Sequence, residues 1–246
     1  MKSLKIAKYE FFEILQSMKV YYAIVMAVYT LLTIVSLKTN GETTSSGLEF
    51  STIVFLFIAG LNSVKGSFKF SLGNNITRKT FFKGLVLSSL PIGALMAVLD
   101  IILNRIYNLF VDCPTIYDMI YQKAFGTSIW TQSNSIGTLF STAFFLVFLY
   151  SMIFVLGIFV NMLYYRSNKV LKVVISVVPF VLLMFFSNAN QQLVPQSFWS
   201  SFGNFLSKAF GIESHNSYMA SFSFIVIAAG ISGLIYLLGR RAIIKD

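Results

Sequence analysis

Few residues in this chain could make or break bonds, and their spacing argues against it. The run Gly-Ile-Ser-Gly at 230–233 sets a serine among small residues, as a buried nucleophile would require. Such a serine needs a base within hydrogen-bond contact. The one histidine, His215, lies ahead of Ser232 in the chain. At ~1.5 Å per helical residue the two are ~25 Å apart along one helix. Ser232 reads as a packing residue and His215 as a solvent-facing loop residue. The single Cys113 cannot form an internal disulfide, and one cysteine with one histidine cannot complete a His/Cys metal site. Neither a G-x-x-x-x-G-K-[ST] nucleotide loop nor an H-E-x-x-H zinc helix occurs. The chain is expected to have no catalytic site and to hold no cofactor or metal of its own.

Two other groups of residues stand out by charge. Asp100 sits in a long apolar run and is followed by Asn104 and Arg105. An ionisable group at membrane depth marks a bundle interior, a pathway or an ion pair. Its place about four-fifths of the way along that run favours a structural pair, Asp100 with Arg105 or with a loop partner, over a residue lining an outward vestibule. The second group is the stretch KGSFKFSLGNNITRKTFFKG at 65–84, with five basic residues, no acidic ones and four phenylalanines. Gly73 and Asn74 suit a helix stop or tight turn, and Asn75 or Thr77 could cap a new helix. Phe81 and Phe82 are then expected against the membrane, with Arg78 and Lys79 facing the cytosol.

The elements that position these residues follow from composition. Hydrophobic residues make up 56% of the 246, charged residues only 11%, and the mean hydropathy is +0.75. The apolar residues come in runs long enough to cross ~30 Å of hydrocarbon as helices. The expected fold is all-α, a polytopic membrane protein with one transmembrane domain over 1–246. Six spans are read at about 20–37, 50–64, 84–106, 136–163, 170–187 and 218–239. Span 2 could extend to 68, Pro179 interrupts span 5, and the fourth run is longer than a bilayer needs. Residues 1–19 read as an interfacial elbow helix, with Leu4, Ala7, Phe11, Ile14 or Leu15, and Met18 on one face. Residues 65–83 form an elbow between spans 2 and 3. Residues 188–217 form an amphipathic or re-entrant segment, with Leu193, Phe198, Phe202, Phe205 or Leu206, and Ala209 at near-helical spacing.

Lysine and arginine orient the chain. With both termini cytoplasmic, only Lys38, Arg105, Lys123 and Lys208 of the 19 basic residues fall outside. The net charge of +10 then reflects topology, and nucleic acid is not an expected partner. Small residues Ser89, Gly93 and Ala97, and Ala229 with Gly233, form candidate helix-packing faces. The serines and threonines of the spans are expected mainly to bond backbone carbonyls.

Six spans, an N-terminal interfacial helix and the LGNNITRKTFFKG elbow together resemble the membrane (permease) subunits of bacterial ABC-2-type exporters, with a type V exporter-like transmembrane domain. That resemblance implies that the elbow is the coupling helix seated in a separate cytosolic P-loop ATPase. The residues implied are Gly73, Asn74, Asn75, Thr77, Arg78, Lys79, Phe81 and Phe82. ATP and Mg would belong to that partner. It further implies a second permease copy, as a homodimer or with a sister subunit, in the bacterial cytoplasmic membrane. The small size resembles the peptide-exporting members, including phenol-soluble-modulin exporters, so a hydrophobic or amphipathic peptide is the implied substrate. A path rich in phenylalanine and methionine and open to membrane lipid would suit it. The competing reading is a membrane scaffold or sensor that recruits a cytosolic partner without transport.

Overall fold

A computed structural model describes residues 2–38, 47–64, 67–68, 71, 73–122, 133–188 and 196–240. Eight helices are described: α1 (Lys2–Lys38), α2 (Glu49–Asn62), α3 (Arg78–Tyr107), α4 (Ile116–Tyr121), α5 (Ile136–Arg166), α6 (Lys169–Asn188), α7 (Gln196–Ala209) and α8 (Ser217–Arg240). No strand occurs among the described residues. Of these helices α1, α3, α5 and α8 are long and apolar enough to cross a membrane, and α2 is a shorter apolar helix. This is the build of an α-helical membrane protein.

The separate N-terminal elbow is not formed. Residues 2–38 contain no glycine or proline, so nothing bends the backbone, and α1 runs unbroken for 37 residues, ~55 Å at 1.5 Å per residue. Its buried stripe is Ile6, Ala7, Glu10, Ile14 and Met18, which includes a carboxyl where the wheel promised only apolar groups. That stripe lies along α3: a Cβ on Gly84 would come 2.7 Å from Ile6 Cβ, while Tyr29 stacks near Tyr107 with ring centroids 4.8 Å apart. Residues 6–29 of α1 therefore run alongside residues 84–107 of α3. Leu4 and Phe12 point away from the bundle and are exposed.

α5 is the central post, packed on α2, α3 and α8, while α1 lies on the far side of α3. The pairings set the directions. Ile6 meets Gly84 and Tyr29 meets Tyr107, so α1 and α3 run parallel. Ser141 meets Tyr218 and Phe145 meets Phe224, so α5 and α8 run together, with α2 alongside and α3 opposed. Two helix crossings depend on missing side chains. A Cβ on Gly60 of α2 would overlap the Phe154 carbonyl oxygen of α5, and one on Gly157 would overlap the Phe57 carbonyl oxygen. A Cβ on Gly93 would lie 2.6 Å from Ser151 Oγ and 2.9 Å from the Val147 oxygen, so the Ser89–Gly93–Ala97 face packs on α5 as the sequence indicates. The Ala229–Gly233 face makes no close helix crossing among the described residues. A Cβ on Gly233 would meet open space, and Ala229 is exposed.

α6 runs through position 179 without a break, and Val170, Leu171, Val173, Val174, Val177 and Val178 on it are all exposed. The loop read at 107–135 is not simply solvated. Thr115 and Asp118 form a reciprocal capping box at the start of α4, whose Tyr117 and Tyr121 press on Phe145. Cys113 is a buried cysteine. Of the loops read from sequence, residues 39–46, 123–132 and 189–195, Leu193 among them, lie outside the described residues.

Candidate functional site

The described part of the basic stretch folds into an ordered elbow. Its helical turn ends at Gly73, and the backbone reverses over Asn74 and Asn75, held by Asn74 N–H and Ile76 N–H donating to the Ser71 oxygen at 3.2 and 3.1 Å. Asn75 takes φ +55°, in the left-handed region that asparagine tolerates better than most residues. Thr77 is the N-cap of α3: the Thr80 N–H donates to its Oγ1 at 3.3 Å. Asn75 makes the turn rather than the cap. Gly73, Asn74, Asn75 and Thr77 are exposed, as is Lys79, and Arg78 is half-buried. Lys65 and Lys69 lie outside the described residues.

Phe81 and Phe82 do not face the membrane. Both are buried, Phe81 completely, and they form an aromatic cluster with Phe68 at centroid distances of 5.2–5.5 Å. Phe68 reaches Tyr165 of α5, and the Phe82 ring occupies the space a side chain on Gly239 of α8 would need. The reason is position: the first turns of α3 are enclosed by the start of α1 and the end of α8, so neighbouring rings on α3 both meet protein. The elbow is thereby pinned to α1, α5 and α8. Lys79 turns back along α8, its Nζ 5.8 Å from the centroid of Tyr236.

Asp100 lies toward the other end of α3, and its expected pair with Arg105 is absent. Five residues along a helix are ~140° apart, whereas side-chain neighbours are three or four apart. The Asp100 carboxyl instead accepts from Tyr22 of α1 at 2.8 Å and from Tyr150 of α5 at 2.5 Å. Thr52 of α2 joins the same group, and Thr52 Oγ1 is 2.8 Å from Tyr21 Oη, itself 2.7 Å from Ser51 Oγ. Four helices thus converge on one carboxyl group. Arg105 pairs with Asp118 of α4 at 3.9 Å, the loop partner that the sequence left open, and Glu49 of α2 adds its field to that guanidinium. One turn beyond Asp100, Asn104 and then Asn108 donate to the Cys113 oxygen at 3.0 Å each, fastening the loop to α3. The elements of this end were not legible in advance, because Tyr22, Asp100 and Tyr150 are far apart in sequence and no spacing rule joins them.

Other sequence-marked residues fall into place more simply. Ser232 donates to the Ala228 oxygen at 2.6 Å and His215 is exposed ahead of α8, so the two do not meet. Thr30, Thr33, Ser88, Ser89, Thr142 and Ser176 bond carbonyls three or four residues back in their own helices. Asn161 of α5, by contrast, donates across to the Leu61 oxygen of α2. In the 188–217 segment, α7 exposes Phe202 and Phe205, and the turn that follows it passes through Gly211, φ +62°. Its end is tied down by Tyr121 Oη and Ser223 Oγ, which donate to the Phe210 and Ala209 oxygens at 2.7 and 2.6 Å. Phe198 lies outside the described side chains. Among the described residues no group of histidine, cysteine and acidic side chains could hold a metal ion.

The architecture defines a helical membrane protein class and no narrower one. No family model, curated protein or solved structure matches the chain.

Proposed function

We propose that this chain is the membrane subunit of an ATP-driven exporter of the ABC-2 type. It crosses the bacterial cytoplasmic membrane six times with both termini in the cytoplasm, and a separate P-loop ATPase, carrying ATP and Mg, docks on the elbow. The observation that carries this reading is the elbow itself. A loop needed only for topology could be slack, whereas residues 73–82 are turned at Asn75, capped at Thr77 and anchored by Phe81 and Phe82. Exposed basic charge sits on a rigid corner joined to α1, α5 and α8, as a lever would require. The exposed apolar faces of α1, α6 and α8 suit lipid and a second permease copy. The cargo in this reading is a hydrophobic or amphipathic peptide.

The test is co-expression with the candidate ATPase, followed by affinity capture and peptide-stimulated ATP hydrolysis in vesicles. Arg78→Glu combined with Lys79→Glu is expected to weaken the complex and abolish stimulation. Undiminished capture and stimulation would refute the coupling role. A stable complex that no peptide stimulates would favour the scaffold reading.

A further inference from the structure

α3, α5 and α8 do not close on one another completely. Between them lies a groove of about 660 Å³, within the ~300–1,000 Å³ common for ligand sites. Leu87, Leu90 and Ile225 on its rim are exposed, so it opens on the outer surface of the bundle. Its walls are hydrocarbon: Val86, Leu90, Phe148, Val155, Phe224 and Ile225. Three serines line it, and each is already satisfied. Ser89 donates to the Val86 oxygen at 2.7 Å, Ser151 to Val147 at 2.7 Å and Ser232 to Ala228 at 2.6 Å. Their hydrogens are spent, so the floor gives a polar ligand little to bond. The recess exists because α8 presents Ala228, Ala229 and Ser232 there instead of large side chains.

One end of this apolar groove is strongly cationic. Lys79 and Lys83, one helical turn apart, line it, with the Lys79 ammonium held over Tyr236 at the edge. Neither lysine forms an ion pair among the described residues, and the first turn of α3 contains no acidic residue. Cations at a helix N-terminus oppose the helix dipole, so this end is favourable for an anion on two counts. A hydrocarbon trough with two ammonium groups at one end is complementary to an anionic amphiphile.

We propose that the groove binds an anionic phospholipid, with an acyl chain along α3, α5 and α8 and the phosphate at Lys79 and Lys83. Lys79 is shared with the residues assigned to ATPase docking, whereas Lys83 and Ala229 lie outside them and test the lipid site by itself. Native mass spectrometry of the full chain, extracted from nanodiscs of phosphatidylglycerol or phosphatidylcholine, reads the retained lipid directly. The wild type is expected to retain phosphatidylglycerol preferentially. At about 1 kcal/mol per lysine near an anionic surface, Lys83→Gln should cut that preference roughly fivefold and Lys79→Gln with Lys83→Gln roughly 25-fold. Ala229→Phe, which fills the groove from an exposed position, should reduce retention of both lipids. Equal retention of the two lipids by the wild type would overturn the proposal. So would unchanged preference in the lysine variants, displacement by inorganic phosphate alone, or an Ala229→Cys variant that crosslinks two copies through the groove. Retained ATPase capture by Lys83→Gln would separate a lipid defect from a docking defect.

Discussion

Removing the Tyr150 hydroxyl should loosen the junction of α1, α2, α3 and α5 more than any other loss of a single oxygen. Tyr150 is fully buried and donates to Asp100 at 2.5 Å, and Asp100 is 7% exposed. Hydrogen bonds between membrane helices average ~0.6 kcal/mol and reach ~1.7, because the unfolded reference also finds partners. Bonds to a carboxyl group lie higher, at about 1.5–3 kcal/mol where the group can be charged. With Tyr150 fully buried, Tyr150→Phe is expected near the top of the membrane range, ~1.5 kcal/mol. Tyr22→Phe should cost less, ~0.5–1 kcal/mol by the same range, because the Tyr22 hydroxyl is only part-buried and shares itself with the Met96 oxygen at 3.3 Å. The double variant should exceed the sum by at least ~0.5 kcal/mol, since the carboxyl keeps no phenol donor at all. Unfolding in mixed micelles against a denaturing detergent measures each value. Strict additivity, or a Tyr150→Phe change below ~0.3 kcal/mol, would show that Asp100 is no shared anchor.

Gly157→Ala should cost ~1–3 kcal/mol in the same unfolding assay, because the added methyl meets backbone that cannot rotate away, whereas Gly73→Ala, with open space around it, should change stability by less than ~0.5 kcal/mol. Thr77→Ala should lose ~1 kcal/mol of helix cap, Thr77→Ser should restore most of it, and hydrogen exchange at the start of α3 should report both. Burial, and then Tyr117, pushes the Tyr121 phenol up to about 12. A phenol held above its unfolded value of ~10 adds stability that is complete below pH ~10 and fades as pH rises toward 12. The difference between wild type and Tyr121→Phe should therefore be constant from pH 6 to 9 and shrink only above ~10, a profile that a pH series of thermal unfolding checks.

The sequence made the helices legible because apolar periodicity and length act locally. The apolar stretch of span 3 falls inside α3, span 4 inside α5 and span 6 inside α8, and Thr77 was legible as a cap because capping needs only residues a turn apart. The Ser89–Gly93–Ala97 face was legible for the same reason. What escaped depends on which helices meet. Ala229 and Gly233 have the same small-residue spacing yet form no close crossing among the described residues, while Gly60 and Gly157 sit at a crossing that neither helix announces alone. Phe81 and Phe82 looked like membrane anchors because a wheel cannot show that α1 and α8 enclose the first turns of α3. Glu10 broke the apolar face of α1 for a similar reason: a buried position beside Ser67 accepts a carboxyl that lipid would not. Arg105 chose Asp118 over Asp100 because a short loop helix delivered it, and α4 has too few residues to be read from periodicity.

The close approaches divide the bundle in a way that bears on movement. Gly60 with Gly157, Gly93 with Ser151, and Gly84 with Ile6 leave no room for sliding between α2, α3, α5 and α1, and the Asp100 knot locks the same four helices toward their far ends. α8 is held differently. It meets the elbow where Phe82 fills the gap at Gly239, meets α5 through Phe145 and Phe224, and faces the groove over much of its remaining length. Side chains adjust where backbones in contact cannot, so a displacement imposed at the elbow would meet least resistance at α8. An occupant of the groove would stiffen that same joint, which places lipid binding and elbow movement on one helix pair and gives the two proposals a common mechanical element.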